Sequence, residues 1–309
     1  MTPAYQRIDG LLAGGGPVLL DGGIGSELER VGYDAGRNTA ETWGTRALDE
    51  APDLTSEVHR RYVEAGADVI TTNTWRIDRY ASGDALPEHA DSWSDLAVRA
   101  VELAREAAQA AAAPPAVAFS IFTEPIEPSV VEQIAKAVVR AQPDLVLVET
   151  TESIPEDLRF PAFEPLLSTG IPLWVSYRWT VDGPCDVSDI GITPIHGRLQ
   201  DASGELFGRA AAELERLGVA ALLVNCLPPE RVGRTFPFLR EYTDLPLGIY
   251  PNVGRFIDPG WDFEHASSPE AFVTQARAWL ENGATIVGGC CGLGPEHISA
   301  VRSALSSPS

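Results

Sequence analysis

The sequence is poor in lysine, in cysteine and in long apolar runs, and each shortage excludes a class of protein. Lys136 is the single lysine in 309 residues and lies within a helical pattern, which excludes a Schiff-base lysine at a strand end. Four cysteines are too few for a disulfide scaffold in a chain of this length. No stretch approaches the roughly 18 apolar residues that a membrane span needs, and the first residues do not read as a secretion signal. We therefore expect a cytoplasmic protein with no membrane partner.

Positive charge is also scarce. Lys and Arg total 23 against 44 Asp and Glu, which gives a formal net charge of -21. A protein that binds nucleic acid needs a basic surface to neutralise phosphates, so a nucleic-acid partner is not expected. The acidic excess indicates a well-solvated surface, and small molecules are the expected partners.

Short apolar runs that alternate with helical patterns organise the chain. Eight such runs predict strands at residues 17–21, 67–73, 116–121, 144–149, 172–177, 219–225, 246–250 and 284–289. The runs are continuous rather than alternating, which is typical of parallel strands covered on both faces. Eight β/α units with no linker between them predict an α/β protein, a (β/α)8 barrel formed by residues 1–309 as one domain, with 1–16 as an N-terminal extension. An open doubly wound sheet has the same local pattern and is the alternative.

Apolar residues at helical spacing fill the segments between these runs. They predict helices over about 53–65, 91–112, 129–141, 155–168, 203–217, 229–241, 269–282 and 295–305. Ser268-Pro269-Glu270 adds a capping residue followed by a first-turn proline.

Polar residues close most of the predicted strands. In chain order they are Asp21, Asn73, Glu149, Asn225 with Cys226, Tyr250 to Asn252, and Cys290 with Cys291. Because catalytic residues of such barrels lie at the carboxyl ends of the strands, we expect these side chains to share one opening.

Cys226, Cys290 and Cys291 are three of the four cysteines, and they belong to this set. Three thiolates with one open position suit a catalytic Zn²⁺ ion. Adjacent residues of a regular strand point to opposite faces, so the backbone at 290–291 must leave strand geometry, and the flanking glycines allow it. The alternative is that Cys226 is a small buried apolar residue and that the pair is incidental or redox-active.

Several segments, taken in order, resemble the homocysteine S-methyltransferase family. They are residues 19–28 (LLDGGIGSEL), 42–43 (TW), 65–74 (AGADVITTNT), 148–150 (VET), 224–226 (VNC), 250–252 (YPN) and 288–292 (GGCCG). The resemblance runs over nearly the whole chain. Its specific parts are the Asn-Cys and Gly-Gly-Cys-Cys-Gly segments.

The resemblance implies zinc-dependent methyl transfer to the thiol of homocysteine, which gives methionine. It implies that Cys226, Cys290 and Cys291 bind zinc, and that Asp21 and Glu149 hold the amino group of the amino-acid substrate. It places Gly22 and Gly23 where the backbone approaches that substrate. The short chain beyond Cys291 favours a sulfonium donor, S-methylmethionine or S-adenosylmethionine. Such a cation is attracted to aromatic faces, and aromatic residues are predicted at the same end: Trp43, Trp75, Tyr177, Trp179, Tyr250 and Trp261.

Two loops depart from the family pattern. The segment after the third strand (119–128, FSIFTEPIEP) is short and lacks the glycines usual in the family, whereas 178–206 after the fifth strand is long and could cover the site instead. The departure leaves open a different thiol or selenol as the acceptor, and also a zinc-binding relative without catalysis. The sequence gives no oligomeric state.

Overall fold

The structure, a computed structural model, describes residues 1–34, 36, 41–124, 126–185, 204–253, 255–257, 260–262 and 267–306. Within these residues the strands are β1 (Val18–Leu19), β2 (Val69–Thr71), β3 (Ala116–Ile121), β4 (Leu145–Thr151), β5 (Leu173–Tyr177), β6 (Trp179–Thr180), β7 (Gly183–Pro184), β8 (Ala221–Asn225), β9 (Leu247–Tyr250), β10 (Arg255–Ile257), β11 (Gly260–Asp262) and β12 (Ile286–Val287). The helices are α1 (Pro3–Ala13), α2 (Ile24–Arg30), α3 (Ala47–Glu50), α4 (Pro52–Glu64), α5 (Ile77–Ala81), α6 (Trp93–Ala108), α7 (Pro128–Ala141), α8 (Glu164–Leu167), α9 (Gly204–Leu217), α10 (Thr235–Leu239), α11 (Pro269–Glu281) and α12 (Pro295–Ser306).

Eight parallel strands form one sheet in the order β1-β12-β9-β8-β5-β4-β3-β2. A parallel bridge between Leu20 and Val69 joins the two ends of this order, and hydrogen bonds from Asp68 N to Leu19 O (2.7 Å) and from Asp21 N to Val69 O (3.0 Å) continue it. The sheet is therefore a (β/α)8 barrel, as predicted, and the open doubly wound alternative is excluded. The eight barrel strands are the eight predicted from the apolar runs.

Alternate residues of the strands fill two separate parts of the core. Val18 and Leu20 point into the barrel with residues such as Trp174, whereas Leu19 packs outward against the helices. Helix α1 closes the amino end of the barrel: Tyr5 and Ile8 are buried among the interior residues, and Trp174 Nε1 donates to the Tyr5 hydroxyl at 3.1 Å. The predicted N-terminal extension thus forms a floor that faces away from the strand ends.

The prediction of a helix over 155–168 was wrong for most of its length. Helix α8 covers Glu164–Leu167 only, with Pro165 in its first turn. Because a proline has no backbone N–H to donate, a helix that began near 155 could not continue through Pro161 and Pro165. The predicted helix 229–241 is divided into a 3₁₀ turn, Pro229–Arg231, and α10, with Gly233 at φ +46° between them.

In the described residues, no helix is both long enough and apolar enough to cross a membrane.

Candidate metal centre and substrate site

Three cysteine sulfurs meet at the carboxyl end of the barrel. The Sγ atoms of Cys226, Cys290 and Cys291 all lie within 4.8 Å of one another, and those of Cys290 and Cys291 are 3.8 Å apart. Cys226 and Cys291 are buried, and Cys290 is partly exposed. Ligand sulfurs at about 2.3 Å from a tetrahedral zinc ion are separated by roughly 3.8 Å. The spacing therefore fits a zinc ion with three protein ligands.

The buried thiols also influence one another's ionisation. Hydrogen bonds from Cys290 and Cys291 lower the pKa of Cys226 well below its ordinary value, and the Arg178 guanidinium lowers it further. The same hydrogen bonds to Cys226 raise the pKa of Cys290 and of Cys291. The cluster thus favours one thiolate, held by two thiols, and a dication would favour the deprotonation of all three.

Cys226 follows the last residue of β8 and leaves strand geometry. Its φ angle of +50° lies in the left-handed region, which a residue with a side chain adopts only at a free-energy cost. Cys226 N donates to Tyr250 O at 3.2 Å, and Cys226 O accepts from Arg178 Nε at 3.0 Å. Contacts on both sides of the residue hold this conformation.

The loop that carries Cys290 and Cys291 is held by backbone hydrogen bonds to two other strand ends. Gly289 N donates to Asp21 O at 2.8 Å, Cys290 N donates to Pro251 O at 2.8 Å, and Val253 N donates to Cys291 O at 2.9 Å. Gly292 has a φ of +83°, and a Cβ atom there would lie 2.1 Å from Val253 O. The chain turns back here, which allows both adjacent sulfurs to face Cys226.

Gly22 and Gly23 lie against this cysteine loop. A Cβ atom on Gly22 would lie 2.1 Å from Leu293 O, and one on Gly23 would lie 2.7 Å from Cys290 O. Gly23 N also donates to Leu293 O at 3.2 Å. The missing side chains therefore allow the loops after β1 and β12 to pack closely, a requirement separate from the substrate contact that the resemblance implies.

Asp21 is buried at the end of the first strand. Its Oδ2 accepts from Thr71 N at 2.7 Å and from Thr71 Oγ1 at 3.0 Å. Burial raises the pKa of Asp21 well above its ordinary value, and the nearby Glu149 carboxylate raises it further. The two carboxyl groups are thus close enough for their charges to interact.

Glu149 lies at an irregularity of β4, where the register with β5 shifts between Val148 and Thr151. Thr150, the next residue, has a φ of +61°, and such a bulge changes the direction of the side chains around it. The Ser120 hydroxyl donates to Glu149 Oε1. Burial raises the pKa of Glu149 to about 7, although the bond from Ser120 lowers it.

Asn225 fixes this bulge. Its Oδ1 accepts from Thr150 N at 3.1 Å and from Ser176 Oγ at 2.7 Å, and its Nδ2 donates to Thr150 Oγ1 at 3.1 Å. Two other buried amide oxygens near strand ends, Asn73 Oδ1 and Asn252 Oδ1, have no hydrogen-bond partner among the described residues. Donors of a bound substrate could satisfy them.

The aromatic residues at this end serve different purposes. Tyr177, Trp179 and Tyr250 are buried; Trp179 packs against Phe207 and donates to Glu152 O at 2.7 Å, so it braces the fold. Trp43 and Trp75 are partly exposed. The side chain of Trp261, and residues 186–203 of the long loop after β5, lie outside the described residues.

Arg178 is a site residue that the sequence analysis missed. It directly follows β5 and is fully buried, and it contacts Cys226 as described above. The sequence did contain a signal for this role. Arg178 is a basic residue immediately after an apolar strand run, in a chain with only 23 Lys and Arg.

Three comparisons with known proteins agree on one family. The homocysteine S-methyltransferase family model matches residues 18–305. Homocysteine S-methyltransferase 3 of Zea mays is 27% identical over 95% of this chain and 91% of its own, and the selenocysteine Se-methyltransferase of Brassica oleracea var. italica is 27% identical over 98% and 93%. The crystal structure of the homocysteine methyltransferase MmuM from Escherichia coli, in its metallated form, superimposes with a TM-score of 0.71 at 25% identity, covering 96% of this chain and 99% of that one.

Proposed function

Because this chain belongs to the homocysteine S-methyltransferase family, we propose that it is a zinc-dependent methyltransferase that moves a methyl group from a sulfonium compound to the thiol of homocysteine. The convergence of Cys226, Cys290 and Cys291 at the carboxyl end of the barrel carries the proposal. We further propose that residues 1–309 act as one domain in which 1–16 are an extension outside the catalytic barrel.

Cys226, Cys290 and Cys291 are the proposed zinc ligands. Among the described residues the cluster consists of three soft sulfur donors, which suit zinc rather than a hard cation such as Mg²⁺. A zinc ion bound here would keep one position for the acceptor thiol and would favour its thiolate form, which is the nucleophile.

Asp21 and Glu149 are the proposed partners of the acceptor's ammonium group. Their negative charges disfavour each other in a buried site, and an ammonium ion between them would offset both the repulsion and the loss of solvation. Thr71 and Ser120 orient the two carboxyl groups. Gly22 and Gly23 would bring main-chain atoms next to the bound amino acid.

The proposed reaction removes the negative charge of the acceptor thiolate and the positive charge of the sulfonium donor. The acceptor thiol releases its proton to solvent water, and its sulfur attacks the methyl carbon of the donor. A new sulfur–carbon bond forms as the bond from that carbon to the sulfonium sulfur breaks, and the electron pair stays on the donor sulfur. Both products are neutral thioethers at the reacting atoms, so a poorly solvated opening favours the step. The residues of the site position the two substrates and exclude water.

The donor is proposed to lie towards the outer part of the opening, near Trp43 and Trp75, because these two aromatic rings are partly exposed and a sulfonium cation is attracted to aromatic faces. The Arg76 guanidinium already lies 5.4 Å from the centre of the Trp75 ring. That guanidinium would compete with a donor cation for the face of the Trp75 ring.

A selenol acceptor such as selenocysteine is the second candidate. Two of the similar proteins are selenocysteine methyltransferases. The loop between β3 and α7 has only the six residues 122–127. Because this loop is shorter than is usual in the family, we propose that it covers less of the acceptor, so that the acceptor can differ from homocysteine.

The test is methyl transfer by the zinc-loaded protein, with homocysteine or selenocysteine as acceptor and S-methylmethionine or S-adenosylmethionine as donor, followed by mass spectrometry of the products. We expect methionine, and about one zinc ion per chain. Cys290→Ala should lose zinc and turnover but keep its fold, because Cys290 is partly exposed at the opening and the change removes a single sulfur atom. Cys185→Ala, which changes a buried cysteine outside the cluster, is the matched control and should keep both. A zinc-loaded protein that methylates neither acceptor would instead support a non-catalytic zinc-binding role.

A further inference from the structure

Arg178 occupies an unusual position for an arginine. Its side chain is 0% exposed, and it forms an ion pair between Nη1 and Glu152 Oε1 at 3.0 Å. Its Nε donates to Cys226 O at 3.0 Å. Its Nη2 has no hydrogen-bond partner among the described residues. A buried guanidinium is costly unless it is paired, so its presence directly behind a proposed metal ligand calls for a specific benefit.

Arg178 stabilises the backbone conformation of Cys226. The residue has a φ of +50°, and strand continuation would turn its thiol away from the opening. The backbone of Cys226 is held on both sides. Its N–H donates to Tyr250 O, and its carbonyl oxygen accepts from Arg178. Glu152, in the loop between β4 and α8, accepts a hydrogen bond from the guanidinium and orients it. The Arg178 side chain therefore links this loop to Cys226.

We propose that Arg178 is a positioning residue for the metal centre: it holds Cys226 in the left-handed conformation that brings its sulfur to Cys290 and Cys291, and it places a permanent positive charge behind the cluster. This inference rests on the proposed zinc centre. Three thiolates around a dication leave one net negative charge, and a thiolate substrate adds a second. A guanidinium adjacent to Cys226 offsets part of that excess, since charges interact strongly in a poorly solvated site.

The protein contains a matched arginine far from the cysteines. Arg302 Nε donates to Gly66 O at 2.8 Å, and its Nη2 pairs with Asp68, so it repeats the combination of one carbonyl and one carboxylate. Gly66 and Asp68 precede β2 and therefore lie at the amino end of the barrel. A change at Arg302 removes the same types of bond without contact with the cysteine cluster.

The experiment measures metal binding by the full-length protein, without any methyl-transfer assay. Zinc affinity is obtained by competition with a chromophoric chelator, and the thiolate-to-cobalt charge-transfer absorption is recorded after substitution with Co²⁺. All measurements are made well below the melting temperature of each apo variant. Loss of methyl transfer in the wild type would leave these readouts unchanged, so the two proposals can fail separately.

We expect Arg178→Met to weaken zinc binding by about 10- to 100-fold, the range typical of residues that orient metal ligands, and to reduce the cobalt–thiolate absorption. Arg302→Met should lower the apo melting temperature and leave both metal readouts unchanged. Arg178→Lys keeps the positive charge but not the planar fork, so it should recover part of the zinc affinity.

Unchanged zinc affinity and an unchanged cobalt spectrum in Arg178→Met would overturn the proposal, whatever happens to the melting temperature. If Arg178→Met does not fold, Arg178→Lys decides: metal binding equal to that of the wild type overturns the proposal, and a weaker affinity with an altered spectrum supports it.

Discussion

Asn225 and Thr150 are joined by two hydrogen bonds at the carboxyl end of the barrel, although they lie on strands that are not neighbours. Thr150 N donates to Asn225 Oδ1 at 3.1 Å, and Asn225 Nδ2 donates to Thr150 Oγ1 at 3.1 Å. Strand β5 lies between them, and its Ser176 bonds the same amide oxygen at 2.7 Å. One buried side chain thus fixes the bulge that directs Glu149 towards the cysteines.

Asn225→Leu should therefore affect both stability and acceptor binding. It leaves Thr150 and Ser176 with unpaired buried groups, which we expect to cost about 3 kcal/mol in the free energy of unfolding, and it releases Glu149. Urea unfolding and the KM for the thiol amino acid measure the two effects, and KM should rise. Ser176→Ala removes the bond to Asn225 Oδ1 but leaves both bonds between Asn225 and Thr150 in place, so it should cost about 1 kcal/mol with KM unchanged. An Asn225→Leu enzyme with a wild-type KM would show that Glu149 does not depend on this contact.

Gly22→Ala should disturb the metal centre through the backbone. The added Cβ would meet Leu293 O at 2.1 Å, a contact that the cysteine loop can relieve only by moving. We expect at least a tenfold loss of zinc affinity, as for other residues that support metal ligands, with the secondary structure retained in circular dichroism. Gly10→Ala is the control, because no described atom outside the neighbouring backbone of its own helix lies within 4 Å of its added Cβ and alanine favours the helix by about 1 kcal/mol. Normal zinc binding by Gly22→Ala would mean that the loop tolerates displacement.

The pH dependence of acceptor use should depend on Glu149. Its pKa is raised to about 7 because the carboxyl group is buried, so the group is largely neutral below that pH and negatively charged above it. Because the role proposed for Glu149, binding the acceptor's ammonium group, requires the charged form, kcat/KM for the acceptor should increase as the pH rises through about 7.

Glu149→Gln should remove this limb of the pH profile and raise KM, while its zinc content stays close to that of the wild type. Ser120, Tyr250, Asp21 and Cys226 interact with the same group, and none of them is changed in this variant. A profile that keeps the same inflection in Glu149→Gln would assign the titration to another group.

The burial of His59 should lower the free energy of unfolding in mild acid. The residue lies in α4, is fully buried, and neither ring nitrogen has a hydrogen-bond partner among the described residues. Burial lowers its pKa from 6.5 to about 4. Between these values the unfolded chain binds the proton and the folded chain does not, so stability decreases as the pH falls from about 6.5 towards about 4.

At about pH 5 this contribution amounts to a loss of about 2 kcal/mol relative to neutral pH. His59→Leu should lack it, and His89→Gln, at an exposed position, should keep it. The difference in urea-unfolding free energy between about pH 7.5 and about pH 5 separates the three proteins. An identical pH dependence in His59→Leu and the wild type would mean that other groups dominate acid unfolding.

Most of the barrel could be predicted because its strands are buried on both faces. Continuous apolar runs such as 116–121 and 144–149 indicate this burial in the sequence itself, and the structure has a parallel strand at each of them. The helices were less predictable where local rules compete: the apolar spacing over 155–168 favours a helix, but its prolines limit α8 to four residues.

The sequence by itself determined the barrel and the end at which the candidate site residues lie, because apolar periodicity and the residue types that close each strand are local properties. It also identified the three cysteines, Asp21 and Glu149 as candidates. Only the tertiary structure decided how they meet: the left-handed turn at Cys226, the bulge beside Glu149, the close contact of Gly22 with Leu293, and the guanidinium of Arg178 behind the cluster. These features depend on contacts between residues about 50 to 270 positions apart, and no local pattern encodes such contacts.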